Sequence, residues 1–343
     1  MTVYSGTFDV RDEQFMRRAM GAALQARLVA RPNPWVGAVV VARDGSTYEG
    51  CTAAPGGPHA EISALHRAGD AARGATLYST LEPCSHSGRT GPCTQAIIDA
   101  GIARVVVGVV DPDPKVAGRG IEQLRTAGIA VDVGACASLV HTQLAAYLHH
   151  RTTGRPWVVL KMASTLDGRT AAADGSSRWI TGDVARQRVH ELRAESDAVL
   201  VGAGTVRTDD PALTVRDAQG PSPRRIVLGS APANAQVHPC TEWSGDIEAL
   251  LDSLGKDDVL QLLVEGGAQV AADFHRRGLV NRYVFHLAPA IAGGDDAPGV
   301  FGGAAAANIA DMWRGRIVSL QQLGNDVEVV VEPVTIAERQ DIK

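Results

Sequence analysis

Short valine-rich runs that alternate with helix-patterned stretches constrain this chain more than any other feature. In the first half they read VGAVVVA (36–42), ATLYST (75–80), RVVVGVV (104–110) and IAVDV (129–133). Strands with no polar face need cover on both sides, so these runs belong to a sheet sandwiched between helices. The intervening segments supply that cover. Residues 12–28 carry an apolar helical stripe at Phe15, Ala19, Ala22, Ala23 and Ala26, and further helices fit at 60–67, 93–100 and 121–127. After another helix ending near His149, the polar stretch HHRTTGRP holds Gly154 and Pro156 and reads as a junction. A second α/β pattern starts at once, with strands at 157–163, 198–201, 225–228, 259–264, 283–287 and 327–331, and helices at 183–195 and 268–277. The length of 343 residues accords with two domains. The expected division is 1–148, a linker at 149–155, and 156–343.

Composition narrows the function. With 45% hydrophobic and 21% charged residues the chain has the makeup of a folded globular protein. A net charge of −5 gives nucleic acid or an anionic membrane no general electrostatic reason to bind. A small anionic ligand would need a local Arg or Lys cluster. Five scattered cysteines form no disulfide framework, as expected of a reducing compartment. No apolar run reaches the ~18 residues of a membrane span, and the N-terminal stretch has no apolar core of the signal-peptide kind. The expected location is the cytoplasm.

Chemistry concentrates in three segments: Pro58-His59-Ala60-Glu61, Leu81-Glu82-Pro83-Cys84 and Gly91-Pro92-Cys93. One imidazole and two thiolates make three of zinc's four tetrahedral ligands, which leaves a place for water. Glu61, two residues after His59 at the start of an expected helix, is placed to move that water's proton to a leaving amine. Pro92 suits a first helical turn, whose positive end would favour the Cys93 thiolate. Zinc nucleobase deaminases share this set, with the glutamate as acid/base and not as ligand. They usually have two residues between the cysteines, whereas eight separate Cys84 from Cys93 here. A structural zinc site closed by His86, or two buried free thiols, are the alternatives.

The segments PNPWVGAVVV, GGPHAEISAL, YSTLEPCSHSGRTGPCTQAII and DPDPKVAGRGI strongly resemble the deaminase half of the bifunctional riboflavin-biosynthesis deaminase/reductase family, long Cys-to-Cys gap included. The resemblance implies a cytidine-deaminase-like three-layer α/β/α domain acting on a diaminopyrimidinone that carries a phosphoribosylamino group. It implies that His59, Cys84 and Cys93 hold Zn²⁺ and that Glu61 transfers the proton. Asn33 would bond the pyrimidine and Arg89 the substrate phosphate; their plainer readings are a turn asparagine and an exposed arginine. Two departures stand out. Where family members often carry a histidine this chain has Thr52, and the usual Asp-Pro-Asn-Pro is Asp111-Pro112-Asp113-Pro114. The extra carboxylate is expected to repel a phosphate.

The second half holds LKMASTLDGRTA, SRWITG, LRAESDAVLVGAGTVRTDDPALTVR and LLVEGGAQV. Valine-rich strands ending in glycine turns fit phosphate or dinucleotide binding, with Gly202-Ala203-Gly204 and Gly266-Gly267 as candidates, though such turns also serve as plain connectors. No Rossmann G-x-G-x-x-G follows the first strand. These segments resemble the family's reductase half, which implies a dihydrofolate-reductase-like α/β domain using NADPH to reduce a ring-opened ribose to ribityl. By that likeness Ala163, Trp179, Thr205, Asp209 and the turn from Gly267 contact the cofactor. Ser177, Arg193, Leu213, Arg216 and Glu265 contact the substrate, with Arg193 and Arg216 expected to grip its phosphate bidentately. Lys161, a lone cation in an apolar strand, is expected to orient the substrate or stabilise developing charge; a snorkelling strand-end lysine is the alternative. Asp167-Gly168 reads as a turn. The resemblance further implies a homo-oligomer, dimer or tetramer, assembled through the reductase half. Two other functions compete with this one: a deaminase of tRNA or free nucleosides with an unrelated second domain, and a zinc-stabilised binding module on a nucleotide-sensing domain.

Overall fold

The structure is a computed structural model that describes residues 8–85 and 91–334. The chain divides between Arg155 and Pro156 into two compact units. In the first, the elements run α1 (Val10–Ala23), β1 (Gly37–Val41), β2 (Thr47–Cys51), α2 (Ala60–Ala68), β3 (Thr76–Leu81), α3 (Cys93–Asp99), β4 (Arg104–Val109), α4 (Arg119–Thr126), β5 (Ala130–Val133), α5 (Ala137–Gln143) and α6 (Ala145–Thr153). The residues expected to form a linker therefore continue α6 as far as Thr153, where Gly154 in the left-handed conformation ends it.

Five strands form one sheet in the order β2-β1-β3-β4-β5. Every residue of β1 is buried, as its valines require. Gly37 and Ala38 point to opposite faces, and Ala38 pairs with Gly50. A Cβ at Gly37 would overlap the backbone of α1 at Ala19, and one at Gly50 would overlap α2 at Ala60 and Ala64. The sheet therefore has a helix pressed on each side, which makes three layers. The close seat at Gly50 fixes α2, the helix that begins immediately after His59. Asp9 caps α1 by accepting the Asp12 N–H at 2.7 Å.

The second unit runs β6 (Trp157–Thr165), α7 (Asp183–Ala194), β7 (Ala198–Gly202), α8 (Ala203–Asp209), β8 (Arg224–Leu228), β9 (Thr241–Trp243), α9 (Ile247–Lys256), β10 (Gln261–Val264), α10 (Ala268–Arg276), β11 (Arg282–Ala288), β12 (Gly315–Leu323) and β13 (Asp326–Pro333). Its eight strands are ordered β12-β13-β11-β6-β10-β7-β8-β9. Pairings from β11 to β9 are parallel; β13 and β12 add antiparallel strands at one edge. Alternation along β6 separates two cores. Val158, Leu160 and Met162 pack with Leu250, Leu254 and Phe274 of α9 and α10. Val159 packs with Leu192 of α7, Val206 of α8 and Val284 of β11. Lys161 and Ala163 continue that second face toward the carboxyl end of the strand.

Candidate functional site

In the first unit three ligand-type side chains converge although they come from separate elements. His59 is the N-cap residue of α2, Cys93 opens α3, and Cys84 lies in the loop after β3. His59 Nδ1 is 3.3 Å from Cys93 Sγ and 3.6 Å from Cys84 Sγ. Zinc held at about 2.0 Å from nitrogen and 2.3 Å from sulfur in tetrahedral geometry would set N and S about 3.5 Å apart, so the set fits the ion. Among the described residues this group has no fourth ligand; His86, the expected competitor, lies outside them. Pro92 is the N-cap rather than the first helical residue, and the Cys93 N–H donates to Cys84 Sγ at 3.4 Å. The Cys93 thiol, then His59 and that N–H, pull the Cys84 pKa down to about 4 against burial, while the Cys93 thiol is pushed up by Cys84 and by burial.

Glu61 stands in the first turn of α2, 3% exposed. Burial raises its carboxyl above the usual range, against the opposing pull of His59. Ser79 of β3, fully buried, donates its hydroxyl to Glu61 Oε1 at 3.2 Å and also meets Leu81 O at 2.8 Å. Sequence reading missed Ser79. The signal was a lone polar residue on the face of β3 that α2 covers. It also passed over Glu82, a buried carboxylate beside the cluster that looks catalytic. Its oxygens instead accept the backbone N–H groups of Asp111, Gly118, Gly120 and Ile121 at 2.9–3.3 Å. Glu82 thus ties the Asp111–Gly118 loop and the start of α4 to the segment carrying Cys84.

The two departures in this half have structural places. Thr52 is 4% exposed and clasps Val36, taking its N–H at 3.1 Å and meeting its carbonyl at 3.4 Å, so its hydroxyl fastens the entry to β1. The Asp113 carboxylate takes the Lys115 N–H at 2.9 Å and faces Arg151 at 3.8 Å, which meets part of its charge. Asn33 closes a turn through its own N–H to Ala30 O at 2.9 Å. Arg89 lies outside the described residues.

In the second unit a cleft of about 740 Å³ opens at the carboxyl ends of β6, β7 and β10, against α7 and α8. Such crevices are where open α/β sheets bind ligands. Lys161, Ala163, Thr205 and Asp209 line it, with Trp179 and Ser177 from the segment before α7. Trp179 is 69% exposed, with the Arg186 guanidinium 4.5 Å from its ring and that of Arg178 at 5.8 Å. Arg193, Leu213, Arg216 and Glu265 complete the expected set, but Leu213 is only 2% exposed and packs in the core.

Several expectations change here. Arg193 has no fork to offer a phosphate: Nε and Nη2 both donate to Glu265 at 2.7 and 2.8 Å, and Nη1 reaches Thr214 O at 3.3 Å. Burial makes such a paired fork costly to open. Among the described residues the Arg216 guanidinium is bonded only to the Thr214 hydroxyl, and its backbone N–H is held by His190 Nδ1 at 3.2 Å. Lys161 sits mid-strand with its side chain in the cleft, which removes the snorkelling alternative. Burial lowers its pKa, and Glu265 and Glu328 act against that. Of the glycine turns, Gly202 and Gly266 are small because Val270 packs on them: a Cβ there would lie 2.9 and 2.5 Å from its side chain. Gly204 faces open space. Gly267 is not among the residues that line the cleft, and a Cβ there would lie 3.4 Å from the Thr205 hydroxyl. Asp167 does serve a turn, accepting from the Thr165 hydroxyl and from the N–H groups of Ala292 and Gly293.

Residues 156–329 match the family described as the RibD C-terminal domain, and residues 9–109 match the cytidine and deoxycytidylate deaminase zinc-binding region. The riboflavin biosynthesis protein RibD of Escherichia coli K12 is 38% identical over 93% of this chain and 98% of its own length. The chain belongs to the RibD family. RibD of Aquifex aeolicus is likewise 38% identical, over 93% of this chain and 97% of its own. Among solved structures, Acinetobacter baumannii RibD superposes with a TM-score of 0.89 at 36% identity, covering 95% of this chain and 99% of that one. A diaminohydroxyphosphoribosylaminopyrimidine deaminase/5-amino-6-(5-phosphoribosylamino)uracil reductase from Thermotoga maritima gives 0.84 at 36% identity, covering 94% and 99%. The fold expected from the sequence, a deaminase-type α/β unit followed by a reductase-type α/β unit, is the one this RibD chain has.

Proposed function

We propose that this chain carries out two successive steps of riboflavin biosynthesis. The N-terminal unit hydrolytically deaminates 2,5-diamino-6-(5-phosphoribosylamino)pyrimidin-4-one, and the C-terminal unit reduces the ribosyl group of 5-amino-6-(5-phosphoribosylamino)uracil to ribityl with NADPH. One observation carries the reading: a buried glutamate on the helix that starts at His59, beside a cluster of one imidazole and two thiols.

In the deaminase, His59, Cys84 and Cys93 would hold Zn²⁺. The ion supplies Lewis acidity that brings the pKa of water toward neutrality. Glu61 accepts the proton of the attacking water on its carboxylate and returns it to the departing amine, so one group serves as base and then as acid. Ser79 keeps that carboxylate from turning away. Burial, which makes the protonated form of Glu61 accessible, suits a group that must hold a proton between the two transfers.

In the reductase, NADPH would supply hydride. The residues fit a nucleotide: Gly204 offers open space above α8, Thr205 and Asp209 line the wall, and Trp179 presents an exposed ring beside two arginines. Arg216 would take the substrate phosphate. Lys161, whose amine makes no hydrogen bond among the described residues, would orient the sugar chain and, in its protonated form, offset charge that develops as the ring-opened imine accepts hydride. Arg193 holds Glu265, which keeps that carboxylate in place beside the substrate.

The cytoplasm is the proposed location, supported by five cysteines that form no disulfide; among the described residues no helix is long and apolar enough to cross a membrane. A homo-oligomer is supported by edge strand β12, whose Ile317 and Leu320 are 63% and 69% exposed. The deciding experiment combines metal analysis with a two-stage assay. Ammonia should be released from the phosphoribosyl diaminopyrimidinone and not from cytidine or adenosine-containing RNA, and NADPH oxidation should follow only on the deaminated product. Release from the nucleoside or the RNA instead would reassign the deaminase.

A further inference from the structure

Two carboxylates, the largely buried Glu265 and the buried Glu328, share the sheet face of Lys161 from opposite sides, and only one of them is used by the reductase reading. On one side stands Glu265, just past β10, with both oxygens bonded to Arg193. The other side is built by strand register. His286 of β11 pairs with Ala163, and Glu328 of β13 pairs with His286. Paired residues share a face of the sheet, and Lys161 and Ala163 are two positions apart, so all four side chains lie on the cleft face. His286 and Glu328 are 0% and 4% exposed.

Glu328 is clamped through a single oxygen. Its Oε2 lies 3.0 Å from His286 Nε2 and accepts from Arg188 Nε at 3.3 Å. Arg188 is fixed in turn by Glu191 and Glu195 of its own helix region at 3.0 and 3.2 Å. Oε1 of Glu328 accepts no hydrogen bond among the described residues. Along the same face one register step away from the cleft, β11 and β13 carry Val284 and Val330, part of the apolar core. The face thus changes from valines, level with Lys161, to a buried ion network level with Ala163, one register step nearer the carboxyl end of β6. Burying these charges is expensive, and apolar side chains would serve packing as well or better.

The charged and titratable groups around Lys161 are Glu265 from the end of β10, Arg193 and Arg188 from α7, His286 from β11 and Glu328 from β13. Burial works against ionisation of Glu328, but His286 and Arg188 outweigh it and hold its pKa below the usual value. Burial lowers the His286 pKa against the raising effect of its hydrogen bond to Glu328, and the nearby Lys161 charge lowers it further.

We propose that Glu328, clamped by His286 and Arg188, is a positioning residue for the reduction step: with Glu265 it brackets Lys161 and holds that side chain as an ammonium turned into the cleft. This rests on the reading that Lys161 serves the reductase, and the two can fail separately. The chain has four lysines, at 115, 161, 256 and 343. Trace acetylation with acetic anhydride at graded pH, followed by mass spectrometry of the peptides, therefore titrates Lys161 individually.

Glu328→Gln keeps the shape and an acceptor for Arg188 but removes the charge. It should lower the apparent pKa of Lys161 by about one unit or more, the effect of a nearby carboxylate, and leave Lys256 unmoved. The alkaline limb of the pH–kcat profile for NADPH oxidation should fall by the same amount while deamination keeps its rate. Arg188→Gln removes a cation from the same carboxylate and should move Lys161 upward; general damage to the fold would push both variants the same way. An unmoved Lys161 in folded Glu328→Gln, or shifts of equal sign, overturns the proposal. Should Glu328→Gln fail to fold, Arg188→Gln decides alone: an upward shift supports the proposal and no shift overturns it. Lys161→Met is scored apart from these, because full NADPH oxidation in that variant removes the reductase role of Lys161 whatever the titrations show.

Discussion

At Glu61 two demands meet, and burial serves both. A carboxylate that shuttles a proton must bind it neither too weakly nor too tightly, and one that aims at a metal-held water must not swing. Desolvation raises its pKa, and Ser79 restrains it at 3.2 Å. Glu61→Gln preserves volume and an acceptor for Ser79, so the variant should retain one zinc per chain and lose deamination by about 10²–10⁴-fold. Ammonia release by a zinc-loaded glutamine variant at the parent rate would refute the assignment. Arg216 carries the comparable expectation in the second unit. With Arg193 committed to Glu265, Arg216→Ala should weaken reductase substrate about 10- to 100-fold, the worth of a charge-assisted bond or two, and NADPH much less. Titration giving the reverse order would move Arg216 to the cofactor.

Among the elements, α7 does more than cover the sheet, since it delivers both Arg188 and Arg193 to the cleft face. Arg193→Leu would leave Glu265 buried without its partner, a change that costs about 3–5 kcal/mol. The unfolding transition of the second unit should move to lower temperature in calorimetry while deamination persists at moderate temperature. The loop after β4 offers a pH-dependent counterpart. Burial pushes Asp111 up to about 6, although the Tyr147 hydroxyl and the Asp113 N–H donate to it. Because the folded pKa lies above the unfolded value, Asp111 contributes stability that is complete below about pH 4 and lost as pH rises through 6. The swing amounts to about 3 kcal/mol for a shift of this size. Asp111→Asn should flatten that part of the pH–stability profile, and an unchanged slope between pH 4 and 6 would show that Asp111 does not set it.

The elements also show what could be read in advance. Valine-rich β1, β4 and β7 announce themselves, because strands covered on both faces have little room for polar residues. The edges do not: β2 is Thr-Tyr-Glu-Gly-Cys and only half-buried, and β12 is exposed along nearly its whole length, so neither shows an alternation to detect. Helix α9 was within reach, with Ile247, Leu250, Leu251 and Leu254 at helical spacing behind an Asp246 cap that takes two N–H groups. The zinc ligands were legible because their residue types are rare in combination. Ser79, Glu82 and the His286–Glu328 pair were not, since their roles come from cross-strand register and loop closure, which the linear sequence does not display.

At the scale of the whole chain, the metal cluster and the reductase cleft belong to different compact units, each with its own sheet and its own core. Among the described residues, the cleft is lined by the second unit and the His59 cluster draws its ligands from the first. Two consecutive reactions can therefore be separated by a substitution that touches one site alone. Cys84→Ala removes a thiol from a loop that Glu82 continues to hold through four backbone bonds, so the first unit should stay folded. That variant should lose zinc and deamination together. Supplied with the deaminated intermediate, it should oxidise NADPH at the parent rate and yield the ribityl product. Supplied with the diaminopyrimidinone, it should do neither. Loss of hydride transfer from a folded Cys84→Ala protein that still binds NADPH would mean that the reductase depends on the integrity of the metal site, and the two chemistries would have to be treated as one coupled machine.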